Sequence, residues 1–137
     1  MTEGPQQLID RLVRATNSHD LDAVAACFAA DYQNETPLHP TRGFQGRDQV
    51  RRNWEQIFAF VPDVKANVVR HVADGDSLWT EWEMTGTRRD LSSHHLRGVI
   101  IFGVTAGAIC WARFYLEPVD EDAGTVDDAV REQVVRG

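Results

Sequence analysis

In the first half of the chain, apolar residues recur every three or four positions, which is the spacing of amphipathic helices. This pattern predicts a first helix in QQLIDRLVRATNSHD (residues 6–20). A second helix is predicted in SHDLDAVAACFAADY (residues 18–32), where Asp20 is a natural N-cap. A third helix is predicted in RDQVRRNWEQIFAFVP (residues 47–62), and Pro62 ends it.

The second half of the chain switches to the alternation of apolar and polar residues that is typical of β-strands. Four long strands are predicted, in DVKANVVRHVADG (63–75), LWTEWEMTGTRR (78–89), HHLRGVIIFGV (94–104) and ICWARFYLEPV (109–119), and one short strand in DYQNETP (31–37). This order favours an α+β fold, in which three N-terminal helices pack on one face of a curved antiparallel sheet. We expect one domain over residues 1–137, with a polar tail over 120–137 in which Thr125 can cap a short helix.

Composition and charge narrow the class of protein. The chain has 137 residues, of which 42% are apolar and 26% charged, and its net charge is −7. This acidity argues against binding to nucleic acid or to an anionic membrane, and no apolar run approaches the ~20 residues that span a bilayer. Cys27 and Cys110 are expected to be free thiols, and the first residues lack the basic and apolar regions of a signal peptide. We therefore expect a cytoplasmic protein, and the 13 arginines against one lysine indicate a bacterial coding bias.

Strand periodicity separates the side chains that face a cavity from those that face away from it. In the last strand, the even positions from Cys110 to Leu116 form an apolar face and the odd positions from Ile109 to Glu117 form the other. We therefore expect Glu117 to face away from the cavity. The same reasoning, applied to the other strands and the third helix, predicts an apolar substrate-binding surface. Its members are Trp54, Phe58, Trp82, Met84, Leu96, Phe114 and Leu116.

Three polar residues are candidates for chemistry in this cavity. Tyr32 and Asn34 share one face of the first strand, where a hydroxyl and an amide can hold a water or a substrate oxygen. His94 is the titratable residue that strand parity places on the inner face. The alternative is structural, with Tyr32 in the core and His94 at a strand start. The chain has no metal-binding or phosphate-loop motif, so we expect neither a metal nor a cofactor.

The opposite face of the predicted sheet combines large apolar side chains with charges, which is typical of an interface. Its principal members are Trp79, Val99, Ile101, Trp111, Arg113 and Tyr115. We predict that two copies of the chain form a homodimer through this outer face. Glu117 would then be an interface or rim charge.

Four segments of the chain resemble the nuclear-transport-factor-2-like superfamily. They are NSHDLDAVAACFAADY, YQNETPLHPTRGFQGRDQVRRNW, WTEWEMTGT and RGVIIFGVTAGAICWARFYLEP. The similarity covers about residues 6–119 and is closest to the SnoaL-like and limonene-epoxide-hydrolase-like branches. It implies a cone in which a bent sheet wraps a helix around a deep apolar cavity. Members include hydrolases, isomerases, cyclases and non-catalytic binders, so the fold alone does not define a function.

The resemblance also implies that this chain lacks key catalytic groups of well-known members of the family. Tyr32 and Asn34 stand where limonene-epoxide hydrolases orient a water. The position of the base falls on Phe114, and those of the acid pair fall on Trp82 and Met84. A phenylalanine cannot accept a proton and a methionine cannot donate one. The base and the oxyanion donor of ketosteroid isomerases are replaced as well.

Three functions stay open on the sequence alone. The first is binding of a small apolar molecule, cyclic and polyketide- or terpenoid-like, with cofactor-free acid–base catalysis of the isomerase, cyclase or hydrolase type by Tyr32, Asn34 and His94. The second is a non-catalytic module for ligand binding or dimerisation. The third is a hydrolase or isomerase in which a β-bulge turns Glu117 inward.

Overall fold

A computed structural model describes residues 4–122 and 124–135 of the chain. The four helices are α1 (Pro5–Asn17), α2 (Leu21–Ala26), α3 (Arg47–Phe60) and α4 (Val126–Val134). The six strands are β1 (Phe28–Glu35), β2 (Phe44–Gln45), β3 (Lys65–Asp74), β4 (Ser77–Thr87), β5 (Ser93–Thr105) and β6 (Ala108–Pro118). A single turn of 3₁₀ helix, Pro40–Arg42, links β1 to β2. The fold is α+β, as the order of the sequence patterns predicted.

All six strands belong to one curved sheet in the order β2-β1-β6-β5-β4-β3. The chain from β3 to β6 is an antiparallel meander, whereas β1 runs parallel to β6. The described strands thus pair antiparallel, as predicted, except at this one pair. The parallel pair places the polar residues of β1 beside the apolar inner face of β6, with Asn34 opposite Ala112.

The helices and the sheet share one apolar core. Leu8 and Leu12 of α1 and Val24 of α2 are buried against inner-face residues such as Trp82 and Phe102. The side chain of Asn17 attaches α1 to β3 at the edge of the sheet. Its amide nitrogen donates to the Ala66 carbonyl at 3.0 Å, and its amide oxygen accepts from the Ala66 N–H at 2.7 Å. The packing positions α1 and α3 over the concave face of the sheet.

Gly98 lies at a close approach between β5 and β6. Its φ of 152° is in a region that favours glycine. A Cβ atom added there would lie 2.0 Å from the Tyr115 carbonyl oxygen. A side chain at this position would therefore disturb the pairing of the two central strands.

Two local features differ from the sequence prediction. The helix predicted to include Phe28 ends at Ala26, because the Cys27 carbonyl accepts a hydrogen bond from the Ile109 N–H and Phe28 then pairs with Ile109 on β6. Near the start of β6, Gly103 pairs with Trp111 and Val104 pairs with Ile109, so Cys110 is an extra residue in the strand. This bulge places Ile109 in the core, whereas strict alternation had assigned it to the outer face.

Helix α4 lies outside this core. Its N-cap is Thr125, whose hydroxyl oxygen accepts a hydrogen bond from the Asp128 N–H at 3.1 Å. Every residue of α4 is exposed, including Val126, Val130 and Val134. None of the helices among the described residues has the length and apolarity that crossing a bilayer requires.

Candidate functional site

A cavity of about 300 Å³ lies between helices α1 and α3 and the concave face of the sheet. Its walls are mostly apolar, with Leu12 from α1, Ile57 from α3 and Phe102 from β5 among them. Six of the seven residues predicted to form the substrate-binding surface line it. They are Trp54, Trp82, Met84, Leu96, Phe114 and Leu116.

One wall of the cavity is polar, and it is built by Tyr32 and Asn34 of β1 and by Thr36, which follows the end of that strand. The Tyr32 hydroxyl donates to the amide oxygen of Asn34 at 2.7 Å, and the Asn34 amide nitrogen lies 3.4 Å from the Thr36 hydroxyl. All three residues line the cavity. The structure thus brings the predicted pair Tyr32 and Asn34 together at the cavity wall.

Burial controls the state of Tyr32. Only 1% of the residue is exposed, and its ring makes an edge-on contact with Phe28 at 4.9 Å. Desolvation raises the pKa of the Tyr32 hydroxyl far above its ordinary value. The hydroxyl therefore stays protonated near neutral pH and serves as a hydrogen-bond donor.

Asn53 of α3 also lines the cavity, and the sequence analysis missed it. Its amide oxygen accepts a hydrogen bond from the Gln49 side chain at 2.8 Å. The sequence contains a signal for this position, because helical spacing places Asn53 on the same face as the apolar residues Val50, Trp54 and Ile57. A polar residue within that apolar stripe marks a helix position that faces a cavity.

Two predicted site residues lie elsewhere. The ring of Phe58 stacks on His19, with centroids 4.8 Å apart, and does not line the cavity. His94 pairs with Gly86 across the sheet and lies in a separate shallow depression beside Arg88. Strand parity gave its face correctly, but this end of β5 extends past the cavity. Burial first, and Arg88 second, lower the pKa of His94, while Asp63 opposes them.

Glu117 does not line the cavity. One of its carboxylate oxygens lies 2.7 Å from Nε2 of His39, which belongs to the loop between β1 and β2. On the sheet, Glu117 pairs with Arg97 of β5. The outward orientation expected for Glu117 agrees with this geometry, and the carboxylate attaches a loop at the cavity rim to the last strand.

Strand alternation predicted that the large side chains on the outer face of the sheet are exposed in a single chain, but some of them pack against each other. Ile101 is only 5% exposed, and its cross-strand neighbours are Trp79 and Arg113. The indole of Trp111 covers Gly103, where an added Cβ would lie 1.9 Å from the ring nitrogen. Arg113 lies over that indole at 5.6 Å.

Trp79 remains 47% exposed on this face, while Val99 and Tyr115 are partly buried. Ile101 is therefore not available as an exposed interface residue, contrary to the sequence analysis. The homodimer through the outer face stays a prediction.

Comparison with known families identifies the chain. The family model of the SnoaL-like domain matches residues 9–112, about three quarters of the sequence. This protein belongs to the SnoaL-like domain family. The search of curated proteins found no match.

Solved structures with the same fold include two proteins from Streptomyces species. Wild-type IdmH, a putative polyketide cyclase from Streptomyces antibioticus, is 22% identical with a TM-score of 0.73, covering 84% of this SnoaL-like chain and 93% of IdmH. AclR, a putative hydroxylase from Streptomyces galilaeus, is 15% identical with a TM-score of 0.75, covering 95% and 90%.

A third neighbour is a hypothetical protein from Catenulispora acidiphila DSM 44928 with a ketosteroid isomerase-like fold, in complex with trimethylamine. It is 16% identical with a TM-score of 0.70, and the match covers 82% of this chain and 87% of that one. At these identities the likeness shows the shared NTF2-like fold.

Proposed function

We propose that this SnoaL-like protein binds a small apolar molecule with one or two rings and at least one oxygen atom in the cavity between α3 and the sheet. The observation that carries the proposal is a cavity whose lining is mostly apolar, with a few polar side chains: Thr16, Tyr32, Asn34, Thr36, Asn53 and, at the rim, Arg42. Ligand sites typically combine an apolar lining with a few polar groups that fix orientation. A volume of about 300 Å³ is at the small end of such sites.

The polar groups suit an oxygenated ligand. Asn34 and Asn53 present amide groups to an otherwise apolar space, and Trp54 and Trp82 offer ring surfaces against which a flat ligand can pack. The putative polyketide cyclase among the structural neighbours supports a polyketide-like molecule as the ligand class.

The proposal is for binding and includes no acid–base step. Among the described residues that line the cavity there is no aspartate, glutamate or histidine, and Tyr32 remains protonated. General acid–base work near neutral pH needs a group that titrates in that range. His94, the predicted candidate, lies outside the cavity lining.

Calorimetric titration with 2-acetylnaphthalene tests the proposal, because this probe is a flat bicyclic ketone. Leu116→Trp adds an indole to the cavity, whereas Tyr115→Trp adds one at the neighbouring position on the other face of β6. We expect saturable binding to the natural protein and to Tyr115→Trp, and loss of binding in Leu116→Trp. Equal binding to both variants, or no binding to the natural protein, would overturn the proposal. Circular dichroism verifies that each variant is folded.

A cytoplasmic location is part of the same proposal. Both cysteines are free thiols, Cys27 buried and Cys110 partly buried, which suits a reducing compartment.

A further inference from the structure

Two asparagines of the cavity wall have donor hydrogens available for a ligand. The amide oxygen of Asn34 is engaged by the Tyr32 hydroxyl at 2.7 Å, and that of Asn53 by the Gln49 side chain at 2.8 Å. The Asn34 NH₂ group donates one hydrogen to the Thr36 hydroxyl at 3.4 Å and keeps the other for a ligand, and among the described residues the Asn53 NH₂ group keeps both.

The other polar groups of the apolar wall are satisfied within the fold. The Trp82 indole N–H donates to the Thr80 hydroxyl at 2.5 Å, and that hydroxyl donates to the Ile100 carbonyl at 2.6 Å. Trp82 thus contributes ring surface to the cavity and no hydrogen bond. A ligand with hydrogen-bond acceptors can therefore use the free NH₂ hydrogens of this site.

Arg42 adds a positive charge to this set of donors. It is exposed at the cavity rim, and among the described lining residues it is the one with a formal charge. In the described part of the chain, no ion pair or side-chain hydrogen bond involves Arg42. Arginines on the outer sheet face differ, since Arg113 pairs with Glu35 at 3.0 Å and Arg97 with Glu81 at 3.4 Å.

The backbone of Arg42 is held in place by the loop that carries it. The Arg42 N–H donates to the His39 carbonyl at 2.9 Å, and the Gly43 N–H donates to the Pro40 carbonyl at 3.3 Å. The side chain of His39 contacts Glu117 at 2.7 Å, which attaches the loop to β6. Arg42 is therefore anchored at its backbone while its guanidinium is free to meet a ligand.

We propose that the ligand carries a carboxylate, bound by the guanidinium of Arg42 together with the amide NH₂ groups of Asn34 and Asn53. This inference rests on the proposed function and defines the ligand class, an apolar ring system bearing one acidic group. A planar guanidinium matches a carboxylate through two parallel hydrogen bonds. The body of the ligand would pack between Trp54 and Trp82.

Two probes of nearly the same shape test the charge requirement. The anion 2-naphthoate and the neutral ketone 2-acetylnaphthalene differ only in the replacement of a carboxylate oxygen by a methyl group. In calorimetric titrations we expect 2-naphthoate to bind the natural protein about tenfold or more tightly than the ketone, as a charge-assisted hydrogen bond implies.

The variants Arg42→Met and Arg14→Met separate a local contact from a change in net charge. Both remove one positive charge, but Arg14 lies on the exposed side of α1 and does not line the cavity. We expect Arg42→Met to lose most of the preference for 2-naphthoate while keeping its affinity for the ketone. Arg14→Met should behave as the natural protein does.

The possible results distinguish this inference from the function on which it rests. Equal affinity of the natural protein for both probes, or an unchanged preference in Arg42→Met, would overturn the carboxylate inference and leave ligand binding intact. If neither 2-naphthoate nor 2-acetylnaphthalene bound the natural protein, both the proposed function and the carboxylate inference would be overturned. A preference that falls equally in the Arg42 and Arg14 variants would contradict a specific contact with Arg42.

Discussion

The hydrogen bond between Tyr32 and Asn34 offers a quantitative test of how the cavity wall is built. Tyr32→Phe removes the hydroxyl that donates to the Asn34 amide oxygen at 2.7 Å. It keeps the ring and its contacts with Phe28 and Phe44, whose centroids lie at 4.9 and 6.0 Å. The substitution therefore isolates one polar contact and creates no large void.

The expected cost follows from the surroundings of the two groups. A neutral hydrogen bond contributes about 1 kcal/mol net to stability, and a buried acceptor left without a donor costs more. Asn34 is partly buried and faces the cavity, where water can replace the lost hydroxyl. We therefore expect Tyr32→Phe to lower the free energy of unfolding by about 1 kcal/mol, which for this length corresponds to a fall in Tm of roughly 2–5 °C.

A double-mutant cycle measures the contact itself. Urea denaturation followed by circular dichroism would be applied to the natural protein, Tyr32→Phe, Asn34→Leu and the double variant. We expect a coupling energy of about 1 kcal/mol between the two positions. Losses of stability that add to within about 0.3 kcal/mol would refute the reasoning, because the two side chains would then act independently.

Further predictions concern the sheet, a histidine and the outer face. Gly98→Ala should lower the free energy of unfolding by about 2 kcal/mol or more, because the added Cβ meets the Tyr115 carbonyl. Gly124→Ala places a Cβ in open space and should have little effect in the same urea assay. Equal effects of the two substitutions would contradict a steric conflict at Gly98. Because the pKa of His94 is lowered in the folded protein, the unfolded chain binds more protons and stability should decline as the pH falls below about 6.5. His94→Gln should make this decline shallower in pH-dependent denaturation, and an unchanged profile would contradict the shift. Light scattering should show a dimer for the natural protein and a monomer for Trp79→Glu; a monomeric natural protein would disprove the interface.

The helix stripe and the strand alternation predicted most of the cavity wall. Trp54 lies on the apolar face of α3, and Trp82 and Met84 alternate with outward residues on β4. These positions follow from 3.6- and 2-residue periodicity, which depends only on local backbone geometry. The same argument assigned Phe114 to the cavity and Glu117 to the opposite face.

Features that depend on contacts between distant segments could not be predicted in this way. The bulge at Cys110 moves Ile109 into the core, and alternation carries no information about an extra residue. Strand alternation predicted that His94 lies on the inner face. It could not predict how far His94 lies from the cavity, because that distance depends on the length of the strand. Arg42 belongs to an irregular loop, where periodicity gives no orientation.

Intermolecular NOEs between a bound probe and the protein would test whether the cavity between α3 and the sheet is the ligand site. The measurement would use methyl-labelled protein saturated with 2-acetylnaphthalene. We expect NOEs from the probe ring to the methyl groups of Met84, Leu96 and Leu116. NOEs confined to the exposed valines of α4, or none at saturating probe, would contradict it.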